Sequence, residues 1–528
     1  MSGKVNQDDI NKALWAACDT FRGTISADTY KDFILTMLFL KYISDVWQDH
    51  YDGYKKQYGD EPELITEMLK NERFVLPEVV MYNEVEQPDG TLTRTERDRY
   101  LANFYNLYDR RHEPGNGERI DQALHALEEA NGTKLKDAGK SVFQDISFNT
   151  DKLGEEKSKN NLLRHLLEDF AQPDMNLRPS RIGSQDIIGN AYEFLISRFA
   201  AGAGKTAGEF YTPAQVSDLL AELLDPQPGE QICDPACGSA SLLMKCGRKV
   251  LQKSGSRNYA LFGQESIGAT WALAKMNLFL HGEENHDLRW GDSIRHPQLL
   301  DASGGLMHFD VVTANPPFSL EKWGHEQAES DKFGRFQRGI PPKTKGDYAF
   351  ILHMIETLKP GTGRMGVVVP HGVLFRGGSE GKIRQALIEE NLLDAVIGLP
   401  EKLFFGTGIP AAILLFRKTK RSDDVIFIDA SRDFMAGKNQ NQLGPQQLER
   451  IVAAYRARQH QSRYAECVSL QAIRDNDYNL NIPRYVDTFE AEDEIDLLAI
   501  KAEREGLERE LVELKREMDG YLRELGYE

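Results

Sequence analysis

Apolar residues recur at helical spacing through roughly the first third of the chain. Ile10, Leu14, Ala17 and Phe21 fall on one helical face, and Phe33, Met37, Leu40 and Ser44 follow on a second helix beyond Arg22-Gly23. Further helical stretches cover 117–130, stopped by Asn131-Gly132, and 161–170. No strand alternation stands out among them, so residues 1–170 read as an all-helical N-terminal domain. The texture changes after a helix at about 186–200 and a small-residue linker at 201–208. Short apolar runs at 230–233, 259–263, 309–314, 364–369, 393–398, 411–416 and 425–428 then alternate with helical segments at 241–252, 267–280, 347–358 and 380–390. This alternation predicts an α/β fold over 171–470, with a doubly wound, mostly parallel sheet that binds ligands at the carboxyl ends of its strands. From 471 to 528 a helical tail is expected. In it Leu507, Leu511, Leu514, Met518, Tyr521 and Leu525 are spaced 4, 3, 4, 3, 4, a heptad seam that suits either subunit assembly or packing on its own chain.

Composition narrows the class. A hydrophobic share of 41% and a charged share of 28% over 528 residues exclude wholesale disorder and leave room for two to four domains. The net charge of −18 argues against a simple basic surface that coats nucleic acid. Residues 490–528 hold 14 acidic and 6 basic side chains and so carry −8 of that excess. No window approaches 18 consecutive apolar residues, and the first ten residues lack a signal-peptide core, so no membrane association is expected. Cys18, Cys233, Cys237, Cys246 and Cys467 are odd in number and scattered, which fits a reducing, cytoplasmic location and supplies no metal-ligand spacing.

Residues 201–206, Ala-Gly-Ala-Gly-Lys-Thr, imitate a nucleotide-binding P-loop. That pattern needs a glycine at position 199, where Phe199 stands, and a strand leading in, where a helix is expected. A stronger signal is Asp234-Pro235-Ala236-Cys237-Gly238-Ser239-Ala240-Ser241, which follows the first predicted strand and opens a helix. Small residues there admit a ligand close to the backbone, and the helix start offers free N–H groups. Glu265 ends the next strand, where an acid can accept ribose hydroxyls, and Asp292 ends a third candidate tip, where it can hold an adenine amino group. After the run 309–314 comes Asn315-Pro316-Pro317-Phe318. Two prolines force a rigid extended turn. The Asn315 side-chain oxygen and the Pro316 carbonyl can then accept both hydrogens of a planar amino group, and Phe318 offers a stacking face.

With these motifs the chain resembles the amino-methylating DNA methyltransferases, and more closely the modification (methylation) subunit of type I restriction–modification systems. The resemblance spans nearly the whole chain. It implies that S-adenosylmethionine is the cofactor, with Glu209, Phe210, Tyr211, Thr212, Pro213 and Ala214 over its methionine part. Asp234, Ser239, Ala240 and Ser241 would line the amino-acid end, Glu265 would hold the ribose and Asp292 the adenine. Asn315, Pro316, Pro317 and Phe318 would be catalytic and hold a flipped target adenine. Ala240 stands where the common pattern has glycine. The implied reaction needs neither metal nor covalent intermediate, and no Pro-Cys dipeptide of a carbon-5 cytosine methylase occurs. The implied partners are DNA, a specificity subunit, a restriction/translocase subunit and a second copy of the chain. Amino methylation of RNA or protein glutamine, or a catalytically silent assembly role, are the alternatives. The long stretch 319–346 is expected to be a mobile loop that closes over DNA or the flipped base.

Overall fold

The computed structural model describes residues 6–59, 61–87, 92–137, 139–182, 186–202, 212–404, 408–437, 440–488 and 497–527. Among these, nine strands form one sheet. They are β1 (Gln231–Asp234), β2 (Ala260–Glu265), β3 (His286–Trp290), β4 (Val311–Ala314), β5 (Arg364–Pro370), β6 (Leu393–Gly398), β7 (Ala411–Arg417), β8 (Asp424–Asp429) and β9 (Ala465–Ser469). Their spatial order is β9-β8-β6-β7-β5-β4-β1-β2-β3. Pairing is parallel except around β7, which runs antiparallel to β5 and β6, and at β9, which runs antiparallel to β8.

Burial on both faces explains why the strands read as unbroken apolar runs. Ile232, Val311, Val368, Ile397 and Ile413 enter one core, while their neighbours Cys233, Val312, Val367, Val396 and Leu414 enter the other. The first core is covered by the helices Ala214–Leu224, Ser241–Ser254 and Gly268–Leu280, the second by Asp347–Glu356 and Ser379–Glu389.

The N-terminal region is mainly helical, led by Gln7–Ala17 and Ala27–Tyr58. One expectation is corrected there. Glu78–Glu86 and Leu92–Leu101 form an antiparallel hairpin. Both faces of Leu92–Leu101 are largely exposed and carry Arg and Glu, so period-two alternation was absent from the sequence. The turn signal Pro88-Asp89-Gly90 was the available clue. Strand β9 was missed for a related reason, being a sheet edge that carries polar residues, and the other edge, β3, was anticipated only by its tip at Trp290-Gly291-Asp292.

Packing runs continuously across residue 170. Phe279, on the helix Gly268–Leu280, meets Phe39 and Phe74 with ring centroids 5.2 and 5.8 Å away, and the Arg73 guanidinium lies 4.5 Å from its ring centre. Lys140 also donates to the Trp290 carbonyl at 2.6 Å, and Arg289 donates to Asp137 at 3.1 Å. The N-terminal region thereby braces the β3 edge.

The first compact unit ends at Val486, and Asp487–Glu528 forms a second. The boundary expected at 471 therefore moves, because Ile473, Leu480, Ile482 and Val486 are buried in the sheet's second core. Within the second unit the helix Leu497–Glu524 carries the heptad seam, and Leu507, Leu511, Leu514, Met518, Tyr521 and Leu525 are exposed. No helix among the described residues is long and apolar enough to cross a membrane.

Phe279→Ala should lower stability by about 3–5 kcal/mol, as for other fully buried aromatic truncations. The urea-unfolding midpoint of the intact chain measures this, and an unchanged midpoint would disprove the shared core.

Candidate active site

The strand order sets the location. From β1 the chain proceeds outward through β2 and β3, then returns to β4 on the other side of β1. This reversal opens a crevice beyond the carboxyl ends of β1 and β4, the usual ligand position in such sheets.

On the β1 side the turn 234–241 is held from below. Asp234 accepts the Ala236 N–H at 2.9 Å, Glu265 accepts the Gly238 N–H at 3.0 Å, and the Gln264 carbonyl accepts the Cys237 N–H at 3.2 Å. Gly238 and Ala240 both adopt left-handed backbone, with φ of +53° and +63°. That conformation suits glycine and costs an alanine about 1–2 kcal/mol. It explains why glycine is the common choice at this position, and Ala240 bears that cost. The Ser239 and Ser241 hydroxyls lie 3.0 Å apart, and buried Asn277 donates to the Ser239 carbonyl at 2.9 Å.

Glu265 and Asp292 face a cavity of about 150 Å³ beside this turn, which Pro235, Ile267, Pro317 and Leu320 also line. Asp292 is fixed because its Oδ1 accepts the N–H groups of Ile294 and Arg295 at 2.8 and 2.9 Å. Gln264 braces the same loop, accepting from Gln298 N and donating to the His296 carbonyl, both at 3.0 Å. Two carboxylates that accept hydrogen bonds, set between apolar walls, fit a nucleoside.

The stretch 319–346 is not the free loop expected from its length. Trp323 is fully buried and donates to the Pro342 carbonyl at 2.9 Å. Buried Arg335 donates to Asp331 and to the carbonyls of Ser293 and Ile294 at 2.7, 3.2 and 2.8 Å. The stretch is a packed lobe pinned to the Asp292 loop, and its own aromatic and ionic contacts supply what regular secondary structure would otherwise provide.

On the β4 side, the Asn315 amide donates to the Thr212 hydroxyl at 3.2 Å. The Asn315 side-chain oxygen is buried and makes no hydrogen bond. Such an acceptor is costly to leave empty, so its vacancy marks a place where an N–H donor fits. Phe318 packs edge-on against Phe404 with centroids 5.9 Å apart. Pro317 belongs both to this turn and to the cavity wall. Pro213 and Ala214 begin the helix Ala214–Leu224, whereas Glu209, Phe210 and Tyr211 lie outside the described residues. Nothing local in the sequence marks Arg335, whereas an apolar Ile267 directly after Gln264-Glu265-Ser266 was a usable signal that went unread.

Burial dominates the electrostatics. It pushes the Asp234 carboxyl up to about 8, with the nearby Glu265 charge adding to the shift, and burial also raises Glu265 itself. Burial likewise raises the Cys233 and Cys237 thiols, which makes them poor nucleophiles.

A family model described as N-6 DNA methylase matches residues 183–494, and one described as HsdM N-terminal domain matches residues 10–170. The type I restriction enzyme MjaVIII methylase subunit of Methanocaldococcus jannaschii is 31% identical, over 99% of this chain and 85% of its own length. The MpnII methylase subunit of Mycoplasma pneumoniae is 28% identical, over 93% of this chain and 91% of its own. The solved type I restriction–modification methyltransferase subunit from Streptococcus thermophilus has a TM-score of 0.77 at 34% identity, covering 92% of this chain and 100% of that one.

The Asp234 environment yields a pH prediction. The folded state keeps this proton to about pH 8, whereas an unfolded aspartate releases it near pH 4. The folded state therefore binds more protons across that window, and stability declines as pH rises through it. Asp234→Asn should flatten this part of the profile in thermal unfolding of the cofactor-free chain, and an unaltered slope would show that another group is responsible.

Proposed function

The chain belongs to the N-6 DNA methylase family, as a methylase subunit of the type I restriction class, and from that premise we propose how its residues carry out DNA adenine methylation. S-adenosylmethionine, when bound, supplies the electrophilic methyl group. Glu265 holds its ribose, Asp292 its adenine, and Asp234 with Ser239, Ala240 and Ser241 its amino-acid end. Thr212, Pro213 and Ala214 lie over the methionine part. The target adenine leaves the duplex and stacks on Phe318. Asn315 Oδ1 and the Pro316 carbonyl accept its two amino hydrogens, which pulls the nitrogen toward tetrahedral geometry and raises its nucleophilicity. Catalysis then rests on positioning and on these two hydrogen bonds, since buried high-pKa thiols are unsuited to a covalent route.

The observation that carries this proposal is the vacant, buried Asn315 oxygen, oriented by Thr212 at the end of β4. Asn315→Ala should abolish methyl transfer while leaving S-adenosylmethionine binding intact. Labelled methyl transfer to DNA together with calorimetric cofactor binding tests this, and wild-type-like transfer would overturn the mechanism.

The partners follow from the charge and the tail. A chain of net charge −18 gains its sequence-specific grip on DNA from a specificity subunit, in a complex with a restriction subunit and a second copy of itself. The apolar heptad seam along Leu497–Glu524 suits pairing with a partner helix. The free cysteines, four of them buried, support a reducing cytoplasmic setting. Removing residues 490–528 should abolish the gain in sequence-specific DNA binding that the intact chain acquires from its partner. Gel-shift titrations with and without that partner measure this, and an undiminished gain would assign the seam to its own chain.

A further inference from the structure

Immediately after the Asn315–Phe318 turn the backbone does something unfavourable. Ser319 is not glycine, yet its φ is +53°. A single residue in this conformation reverses the chain sharply, so the direction in which Phe318 and Pro317 are presented depends on its being maintained. Left-handed backbone persists at a non-glycine residue only where the surroundings enforce it.

The enforcing group is Asp347, the first residue of the helix Asp347–Glu356 and almost fully buried. Its Oδ1 accepts the Ser319 N–H at 2.8 Å and its Oδ2 accepts the Ser319 hydroxyl at 3.4 Å. The preceding residue repeats the tie, since Gly346 N–H donates to the Leu320 carbonyl at 2.9 Å. Both ends of the lobe 319–346 are thus closed at one helix start, which also favours the aspartate charge. Arg376 completes the arrangement by donating to Asp347 Oδ2 at 2.9 Å, while its Nε lies 3.3 Å from buried Glu380. The buried carboxylate is in this way paired with a guanidinium and aimed at Ser319.

We propose that Asp347 is a positioning residue for methyl transfer: paired with Arg376, it holds Ser319 in left-handed backbone and so fixes the Asn315–Phe318 turn in the geometry that receives the target amino group. This rests on the assignment of that turn as catalytic. Asp347 touches neither substrate nor cofactor, and its effect passes entirely through the backbone at Ser319. Its removal should therefore act on turnover more than on cofactor affinity, because small misplacements of reacting groups can cost on the order of 100-fold in rate.

The test exploits glycine, which adopts φ near +60° without penalty. Asp347→Ala is made in the wild-type and in the Ser319→Gly backgrounds of the full chain, purified with its co-purifying partners. The assays are methyl transfer to unmodified genomic DNA, calorimetric binding of S-adenosylmethionine and thermal unfolding. Asp347→Ala should lower kcat in the wild-type background with cofactor affinity retained. In the Ser319→Gly background the same substitution should cost about tenfold less, the equivalent of the relieved backbone penalty. Equal losses in both backgrounds, or no loss in either, would overturn the proposal. If the alanine variant fails to fold, Asp347→Asn in the same two backgrounds removes the charge while keeping the shape, with the same expected difference. Retained methyl transfer in Asn315→Ala would instead refute the catalytic assignment itself, so the two failures are distinguishable.

Discussion

The pairing of β1 with β4 is the constraint on which the site depends. These two short parallel strands lie side by side although β2, β3 and their helices separate them in the chain. Their adjacency places the turn that begins at Asp234 next to the turn that begins at Asn315. Parallel strands end on the same side of a sheet, so both turns open into one crevice, and the group to be transferred and the group that receives it can meet there. The burial of β1 and β4 on both faces makes this register hard to shift, because a one-residue slip would exchange the two cores.

Around that pairing the molecule rigidifies its loops with buried polar contacts. Glu265 and Asp234 hold the first turn through backbone N–H groups, Gln264 holds the Asp292 loop, and Arg335 ties the lobe 319–346 to the same loop. Each of these groups is satisfied locally, so the crevice is preorganised. The Asn315 oxygen, by contrast, is left without a partner, as are the side-chain oxygens of Asn277 and Thr313. An unsatisfied buried acceptor has a physical cost, and on the proposed function substrate binding is the event that recovers it at Asn315.

The distribution of charge fits the same division of labour. The acidic excess lies partly in the tail, while the crevice is lined by two individually placed carboxylates, Glu265 and Asp292. On the proposed function, acidity that first spoke against nucleic-acid work describes a catalytic subunit that leaves the binding of phosphates largely to others.

The sequence alone determined the sheet, the order of its turns and the residue types at them. Doubly buried strands are continuous apolar runs, and short proline- and glycine-marked turns are local chemistry. Thus Asp234, Glu265, Asp292 and Asn315 were legible residue by residue. The paired strands Glu78–Glu86 and Leu92–Leu101, the edge strand β9 and the body of β3 were not, because a strand without a buried face or with only part of one leaves no apolar period. Tertiary structure alone decided that Thr212 orients Asn315, that Arg335 anchors the lobe to the Asp292 loop and that Asp347 holds Ser319. Those contacts join residues far apart in the chain through single hydrogen bonds, and nothing in local composition records them until the strands have paired.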